Sequence, residues 1–375
     1  MGGKRRRFGK VRQLPSGRFQ ASFVAPNGQR QNAPHTFRTR TDADRWLVKV
    51  EADISKGTWL DEQLGLERFE DYAKAYLRDS PDVGRRWEET CLRNMRLHMT
   101  DLLDMPLIAI TPPVVRKWHA AVTAGPGGKA SIAQSYRFLR AVMNQAKRDQ
   151  AITVNPCQIR GAGSDRAKER SVATTAEVTA LVDAITPYYR AAVLIAAWCG
   201  LRRGEIIGLQ VRDVDLVANE LRVRRNRVEL LESDEAFDAD PKTDAGKRPV
   251  SIPPHLRPYL VEHLEKWAGD PWLFVGRDGQ RMRGNAIYQA HVRARNKVGV
   301  DVSFHDLRHT GQTLAAATGA TLADLKKRMG HASNAAAARY MHAVDGRDAE
   351  VAQELSRLAA RGDAVKLPRT IVVKH

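Results

Sequence analysis

Alternating apolar and polar side chains near the start of the chain predict β-strands at residues 9–14 and 18–25, with a third strand at 35–39. The Pro-Ser-Gly and Pro-Asn-Gly sequences that follow the first two segments are typical of turns. Thr41 or Asp42 can then cap a helix, because apolar residues recur beyond them at helical spacing. We predict a small α+β module, a three-stranded sheet with one helix, over residues 1–62.

Helical periodicity replaces strand alternation after a linker at residues 57–66. We predict four amphipathic helices, at residues 69–78, 87–103, 113–122 and 130–150. Pro or Gly interrupts the pattern between them. The break at 125–128 precedes a lysine but lacks the GxxxxGK[ST] pattern, so it indicates a turn and not a phosphate-binding loop. Residues 63–165 are therefore predicted to form an all-α bundle with a linker at its end.

The apolar periodicity of residues 166–375 predicts a mostly α-helical domain with a small antiparallel sheet. A buried helix at 189–198 leads through a Gly turn into a second helix that starts near Arg202. Strands at 221–230 and 248–252 are expected to flank a polar loop. Further helices are predicted at 254–267, 283–298 and 321–329, the last closed by Gly330.

Basic residues dominate the charge and indicate a polyanionic partner. The chain has 61 Lys and Arg against 43 Asp and Glu, a net charge of +18, and residues 1–60 alone hold 13 basic and 4 acidic residues. Clustered cations release counterions from a phosphate backbone, which favours nucleic acid as the partner. A GC-rich genome explains the arginine content equally well.

Two groups of basic residues are candidates for contact with DNA. One is on the predicted sheet module, which could enter a major groove, and the other is on the fourth helix. A basic appendage without site preference and a solvated charged face are the respective alternatives. The candidates are Arg18, Arg30, Arg38 and Arg40, and Arg137, Arg140, Lys147 and Arg148.

Cysteine content and hydropathy indicate a cytoplasmic protein without a membrane partner. Cys91, Cys157 and Cys199 have neither disulfide-framework nor metal-site spacing, which fits a reducing compartment. The longest apolar run, residues 191–199, is half the length of a membrane span. The N-terminus lacks the apolar segment of a signal peptide.

Four side chains between residues 303 and 345 have the chemistry for a metal-free attack on a phosphodiester. His305 can carry a proton, Arg308 and His331 can bind phosphate oxygens, and Tyr340 can act as nucleophile once its proton is removed. Arg202 is the candidate for a second phosphate-binding guanidinium. Glu205, three residues on, can brace it, although a surface ion pair and a packing role for Tyr340 are the ordinary interpretations.

The two histidines of HDLRH, His305 and His309, also raise the possibility of zinc. A zincin helix requires Glu after its first histidine, whereas Asp306 stands here. Arg308 lies between the two histidines, where its charge opposes a cation. We therefore expect no metal at this site.

Five segments resemble, in order and spacing, the motif boxes of the tyrosine recombinases. Each box is weak alone, but all five in this order are specific. The basic N-terminal module is similar to the arm-type DNA-binding domain of lambda-type phage integrases, and the helical bundle to the family's core-binding domain. The five segments are GLRRGEIIGL at 200–209, PKTDAGKRPV at 241–250, HDLRH at 305–309, MGHAS at 329–333 and ARYMH at 338–342.

This resemblance implies a mechanism and a role for each matching residue. Tyr340 would attack the scissile phosphate to give a 3′-phosphotyrosine and a free 5′-hydroxyl, while Arg202 and Arg308 clamp the phosphate. Lys242 would protonate the leaving oxygen. His305 would act in proton transfer, His331 would donate a hydrogen bond to the phosphate, and Glu205 would support the site. Because the phosphotyrosine conserves the bond, the resemblance implies neither ATP nor any other cofactor.

The resemblance also implies the biological reaction and its partners. We expect a phage or mobile-element integrase that acts as a homotetramer on core and arm attachment sites in double-stranded DNA, at the bacterial nucleoid. An accessory DNA-bending protein and an excisionase would assist it, and a helix at 346–361 would pack onto a neighbouring protomer. The alternatives are a simpler recombinase for dimer resolution or inversion, a type IB topoisomerase and a non-catalytic DNA-binding protein of the same fold.

Overall fold

The computed structural model describes residues 8–81, 83–165, 171–230, 232–233, 235–240, 246–276 and 278–330. The chain divides into two compact units, Met1–Arg166 and Ala167–His375. Within the described ranges, no helix has both the length and the apolar character needed to cross a bilayer.

The N-terminal sheet is antiparallel, with strand order β1 (Lys10–Gln13), β2 (Phe19–Val24), β3 (Arg30–Asn32). The predicted third strand at 35–39 is wrong, since Phe37 forms only an isolated bridge with Phe19. The turn at Asn27-Gly28 explains the difference. Gly28 adopts φ +80° there, so the chain reverses at once and pairs Arg30 with Val24.

Helix α1 (Arg40–Ser55) covers one face of this sheet. It begins two residues before the predicted start, because Thr39 is the cap and its hydroxyl accepts the Asp42 amide at 3.1 Å. Ala43, Leu47 and Val50 are buried at the helical spacing that the sequence predicts. The module therefore has its own apolar core.

The bundle that follows contains the four predicted long helices and two additional short ones. The predicted helix at 87–103 is two helices, because the chain leaves helical geometry at the buried Met99. The bounds are α2 Glu62–Gly65, α3 Phe69–Asp79, α4 Arg85–His98, α5 Thr100–Leu103, α6 Pro112–Ala124 and α7 Lys129–Arg148.

The predicted linker at 57–66 is an ordered connection centred on Asp61. Its carboxylate caps α2 at the Leu64 amide and accepts the Gln31 side-chain amide at 2.8 Å. Its own N–H donates to the Gln150 carbonyl at 2.8 Å. Asp61 is consequently only 6% exposed and joins the sheet module to the end of α7.

The second unit is mostly helical, with a three-stranded antiparallel sheet of order β4-β5-β8 and a separate β6-β7 hairpin. The helices are α8 Thr175–Ala184, α9 Arg190–Leu194, α10 Arg203–Ile207, α11 Arg257–Lys266, α12 Gly284–Val298, α13 Phe304–Ala317 and α14 Leu322–Met329. The strands are β4 Val214–Asp215, β5 Glu220–Val223, β6 Asn226–Glu229, β7 Ala236–Ala239 and β8 Arg248–Ser251.

The single strand predicted at 221–230 is broken into β5 and β6, which belong to different sheets. Arg224 and Arg225 lie at the break and both pair with Asp213, which is 1% exposed. Arg225 also donates to the Gly208 carbonyl. Adjacent side chains of a strand point to opposite faces, so two adjacent arginines can both reach one carboxylate where the chain leaves the strand direction.

Helix α9 continues into a π turn, Ile195–Cys199, that lies in the core of this unit. Helix α13 packs closely on this turn. A Cβ atom on Gly311 would lie 2.5 Å from the Ala197 carbonyl oxygen, so only glycine allows the approach. The result is that Arg308, one helical turn before Gly311, reaches the end of the π turn.

Candidate functional site

Glu205 is the centre of the site, and Arg202 lies beside it as the i,i+3 spacing predicts. The Glu205 carboxylate accepts the Arg202 backbone N–H and its Nη1 group, both at 2.8 Å. Glu205 is 3% exposed, whereas the Arg202 side chain is 43% exposed. The surface-pair interpretation is therefore wrong, because a buried carboxylate holds a guanidinium that opens to solvent.

Arg308 reaches the same carboxylate from α13. Its Nη1 lies 3.7 Å from Glu205 and donates to the Gly200 carbonyl, and its Nη2 donates to the Met329 carbonyl at 2.7 Å. Arg308 is only 3% exposed, which its place in the HDLRH motif does not predict. The last carbonyls of the π turn and of α14 require donors, and a buried arginine supplies both.

His305 lies near the start of α13 and is exposed. Ser303 and Asp306 form a capping box that begins the helix and fixes where His305 emerges. The His305 and His309 rings meet edge to face, with centroids 5.0 Å apart.

Lys242, His331 and Tyr340 lie outside the described residues, as does the predicted helix at 346–361. The ends of the loop that contains Lys242 are joined by an ion pair of 2.9 Å between Lys247 and Asp240. This loop follows β7, a strand that the sequence analysis assigned to the polar loop. Gly330 closes α14 in the left-handed conformation, φ +63°, as predicted, directly before His331.

Sequence reasoning missed Arg248, the first residue of β8. Its guanidinium forms a fork with the Glu205 carboxylate at 3.2 and 3.4 Å, and the residue is 5% exposed. The alternation of buried positions along the strand could have identified it, because Arg248 lies on the same face as the buried Val250 and Ile252. A charged residue on the apolar face of a strand requires a buried partner.

Three guanidiniums thus surround one carboxylate, which sets its protonation. Burial by itself raises the pKa of Glu205, but Arg248, Arg308 and the Arg202 amide outweigh burial and hold that pKa below its ordinary value. Glu205 is therefore charged at neutral pH. These four side chains together carry a net charge of +2.

The glycines of the first motif, spaced four residues apart, serve backbone packing. Gly200 adopts φ +67° against the Met329 sulfur. A Cβ on Gly204 would lie 2.6 Å from the Arg227 carbonyl, and one on Gly208 would lie 3.0 Å from that of Arg225. These contacts seat α10 on the β6-β7 hairpin and so fix the position of Arg202.

The candidate DNA-contacting residues of the first unit occupy different environments. Arg18 donates to the Thr36 hydroxyl at 2.6 Å and to its carbonyl, and Arg137 donates to the Gly163 carbonyl at 2.6 Å. All eight candidates are nevertheless exposed. Arg30 is on β3, Arg38 and Arg40 are at the start of α1, and Arg140, Lys147 and Arg148 share a face of α7 with Arg137.

Two family profiles match most of the chain. Residues 7–56 match "Phage integrase, N-terminal domain" and residues 171–347 match "Phage integrase family". A putative prophage phiRv2 integrase from Mycobacterium tuberculosis is 39% identical over 376 residues, covering 95% of this chain and 97% of its own length.

Solved structures of two integrases share the fold. The Tn1549 transposon integrase in complex with a circular intermediate DNA superposes with a TM-score of 0.66 at 19% identity, over 77% of this chain and 98% of that one. A lambda integrase tetramer bound to a Holliday junction gives 0.55 at 15% identity, over 88% and 97%. The fold class predicted from the sequence is confirmed: a small N-terminal sheet module, a helical bundle and a mostly α-helical domain with small antiparallel sheets.

Proposed function

The chain belongs to the phage integrase family of tyrosine recombinases and is a site-specific recombinase, and from this premise we propose how it joins a phage or mobile element to a chromosome and excises it again. The observation that carries the proposal is the convergence of Arg202 and Arg308 on Glu205, from distant parts of the sequence. Two guanidiniums held at one carboxylate can bind the nonbridging oxygens of a phosphodiester.

Charge explains why this cluster suits phosphoryl transfer. A phosphodiester carries one negative charge, and attack by a phenolate adds a second in the transition state. The net +2 of the cluster matches that charge without a metal ion. Glu205 keeps the guanidiniums in position before DNA arrives, which lowers the cost of reorganisation.

We assign the chemical steps to the motif residues. Tyr340 attacks the scissile phosphate and forms a 3′-phosphotyrosine, and Lys242 protonates the departing 5′ oxygen. His305 transfers a proton and His331 donates a hydrogen bond to the phosphate. Attack by the 5′-hydroxyl of a second strand reverses the step and joins the new partners, so no external energy source is consumed.

The partners that we propose follow the three-part architecture. Residues 1–62 bind arm sites through Arg18, Arg30, Arg38 and Arg40. Residues 63–165 and residues 166–375 each bind core sites, and the basic face of α7 contacts the DNA backbone. Four protomers act on two duplexes, and the solved lambda integrase tetramer bound to a Holliday junction supports this number. An accessory DNA-bending protein and an excisionase set the direction, at the nucleoid in the bacterial cytoplasm.

Covalent trapping tests the chemistry. A core attachment duplex nicked next to the scissile phosphate loses its short 5′-hydroxyl fragment after cleavage, so the adduct accumulates. We expect the adduct to form at the same rate in EDTA and in Mg²⁺, measured by denaturing gel electrophoresis. Dependence on a divalent metal, or relaxation of supercoils without any strand exchange, contradicts the assignment.

Removing residues 1–60 tests the arm-binding role. The truncation keeps Asp61, which caps α2, and removes Trp59 with the core to which it belongs. We expect cleavage of core sites to persist and integration into arm-containing DNA to be lost, because only the second reaction uses arm contacts. A full-length variant with Arg30, Arg38 and Arg40 changed to Ala is the matched control for folding, and unchanged integration in both proteins refutes the role.

A further inference from the structure

We propose that Arg248, which none of the assigned chemical steps uses, is a positioning residue that keeps the Arg202 and Arg308 guanidiniums available for the scissile phosphate through its fork on Glu205. The inference rests on the proposed function. It adds a buried third arginine whose task differs from that of the two that bind phosphate.

Hydrogen bonds and burial tie the Arg248 guanidinium to the protein interior. Its side chain is 3% exposed. Its Nε donates to the Arg328 carbonyl at 2.8 Å, and its Nη1 donates to the Gly246 carbonyl at 3.0 Å as well as to Glu205. Every nitrogen of the guanidinium is thus engaged within the protein.

The geometry around Glu205 shows what Arg248 contributes. Arg248 uses both Nη groups on both carboxylate oxygens, whereas Arg202 gives one Nη group and Arg308 stays 3.7 Å away. A buried carboxylate without this fork would draw the other two guanidiniums onto itself or take up a proton. Either response weakens their hold on phosphate.

Arg248 also links the carboxylate to the surrounding backbone. The Arg328 carbonyl belongs to the last turn of α14, which Arg308 also bonds at Met329. Both arginines satisfy carbonyls that a helix end leaves unpaired. The last residues of α14, which precede His331, are therefore held by the same two arginines that lie against Glu205.

A pH profile distinguishes positioning from folding. The charged groups that face Glu205 among the described residues are Arg202 at the start of α10, Arg248 on β8 and Arg308 on α13. Without Arg248, burial still raises the pKa of Glu205 but one opposing charge is lost, so that pKa rises. Protonated Glu205 no longer orients Arg202, and cleavage then falls at a higher pH than in the wild type.

The experiment measures single-turnover cleavage of the nicked core duplex from pH 5 to 9 at saturating protein. For Arg248→Met we expect a rate about 10- to 100-fold lower, the usual loss when a residue that orients a functional group is removed. We also expect the acid limb of its profile, the pH range in which the cleavage rate falls on acidification, to lie at higher pH than in the wild type. In the double variant Arg248→Met/Glu205→Gln the titrating carboxyl is gone, so the acid limb returns to the wild-type position.

Arg222→Met is the matched control, because Arg222 lies on the neighbouring β5 and pairs with Asp215 away from the site. It should cleave like the wild type. A wild-type rate in Arg248→Met overturns the inference, as does a reduced rate whose acid limb has not moved. If Arg248→Met does not fold, Arg248→Lys, which keeps the charge but not the fork, decides by whether its rate falls. Failure of the wild type to form an adduct instead contradicts the proposed function.

Discussion

Tyr340→Phe is expected to abolish the covalent DNA adduct while leaving DNA binding intact. Phenylalanine keeps the ring but lacks the oxygen that forms the phosphoester. Loss of a covalent nucleophile typically costs on the order of 10⁶-fold in rate. The adduct should therefore disappear from a denaturing gel, whereas the retardation of the same duplex in a native gel is unchanged.

Tyr288→Phe is the matched control for this experiment. Tyr288 lies on α12 and is 40% exposed, so the same loss of a hydroxyl there should not alter cleavage. An adduct that persists in Tyr340→Phe identifies another nucleophile. An adduct that disappears in both variants points to a general effect of the substitutions on the protein.

Arg308→Met is expected to have the second-largest effect, and to act on both cleavage and stability. Removing one preorganised donor to a charged transition state costs about 10²- to 10³-fold in rate. The Gly200 and Met329 carbonyls also lose their donor and Glu205 loses a cation. Breaking a buried pair lowers the free energy of unfolding by about 3–5 kcal/mol. Denaturant melts and single-turnover cleavage measure the two effects.

A neutral scissile group separates the two effects of Arg308→Met. A methylphosphonate carries no charge at the scissile position, so Arg202 and Arg308 have less negative charge to neutralise. The ratio of wild-type to variant cleavage rates should be smaller on this substrate than on phosphate. An equal ratio on both substrates would mean that Arg308 acts only through stability.

Several predictions from the sequence succeeded because they depended on local patterns. Helical spacing of apolar residues located most of the long helices to within a few residues, although it joined α4 to α5 and missed α8. The i,i+3 pairing of Arg202 and Glu205 appeared where the spacing placed it. Comparison with known proteins confirmed the family that the five motif segments indicated.

Other predictions failed where nonlocal contacts overrode the local pattern. The break between β5 and β6 depends on Asp213, a residue outside the strand that was predicted. The third strand of the first sheet depends on the immediate reversal at Gly28. Asp61 orders a segment of linker composition because partners from both sides of it converge there.

The sequence by itself determined the chemistry available to this protein, since motif order and residue type require no coordinates. Only the tertiary structure decided that Arg308 is buried and that Arg248 shares its carboxylate. Burial of a charge depends on what three separate segments bring to one place, and a one-dimensional pattern records only what lies within a few residues. Glu205 shows both contributions. Its pairing with Arg202 is local and follows from the sequence, whereas its charge state depends on Arg308 of α13 and Arg248 of β8, which only the tertiary structure brings to it.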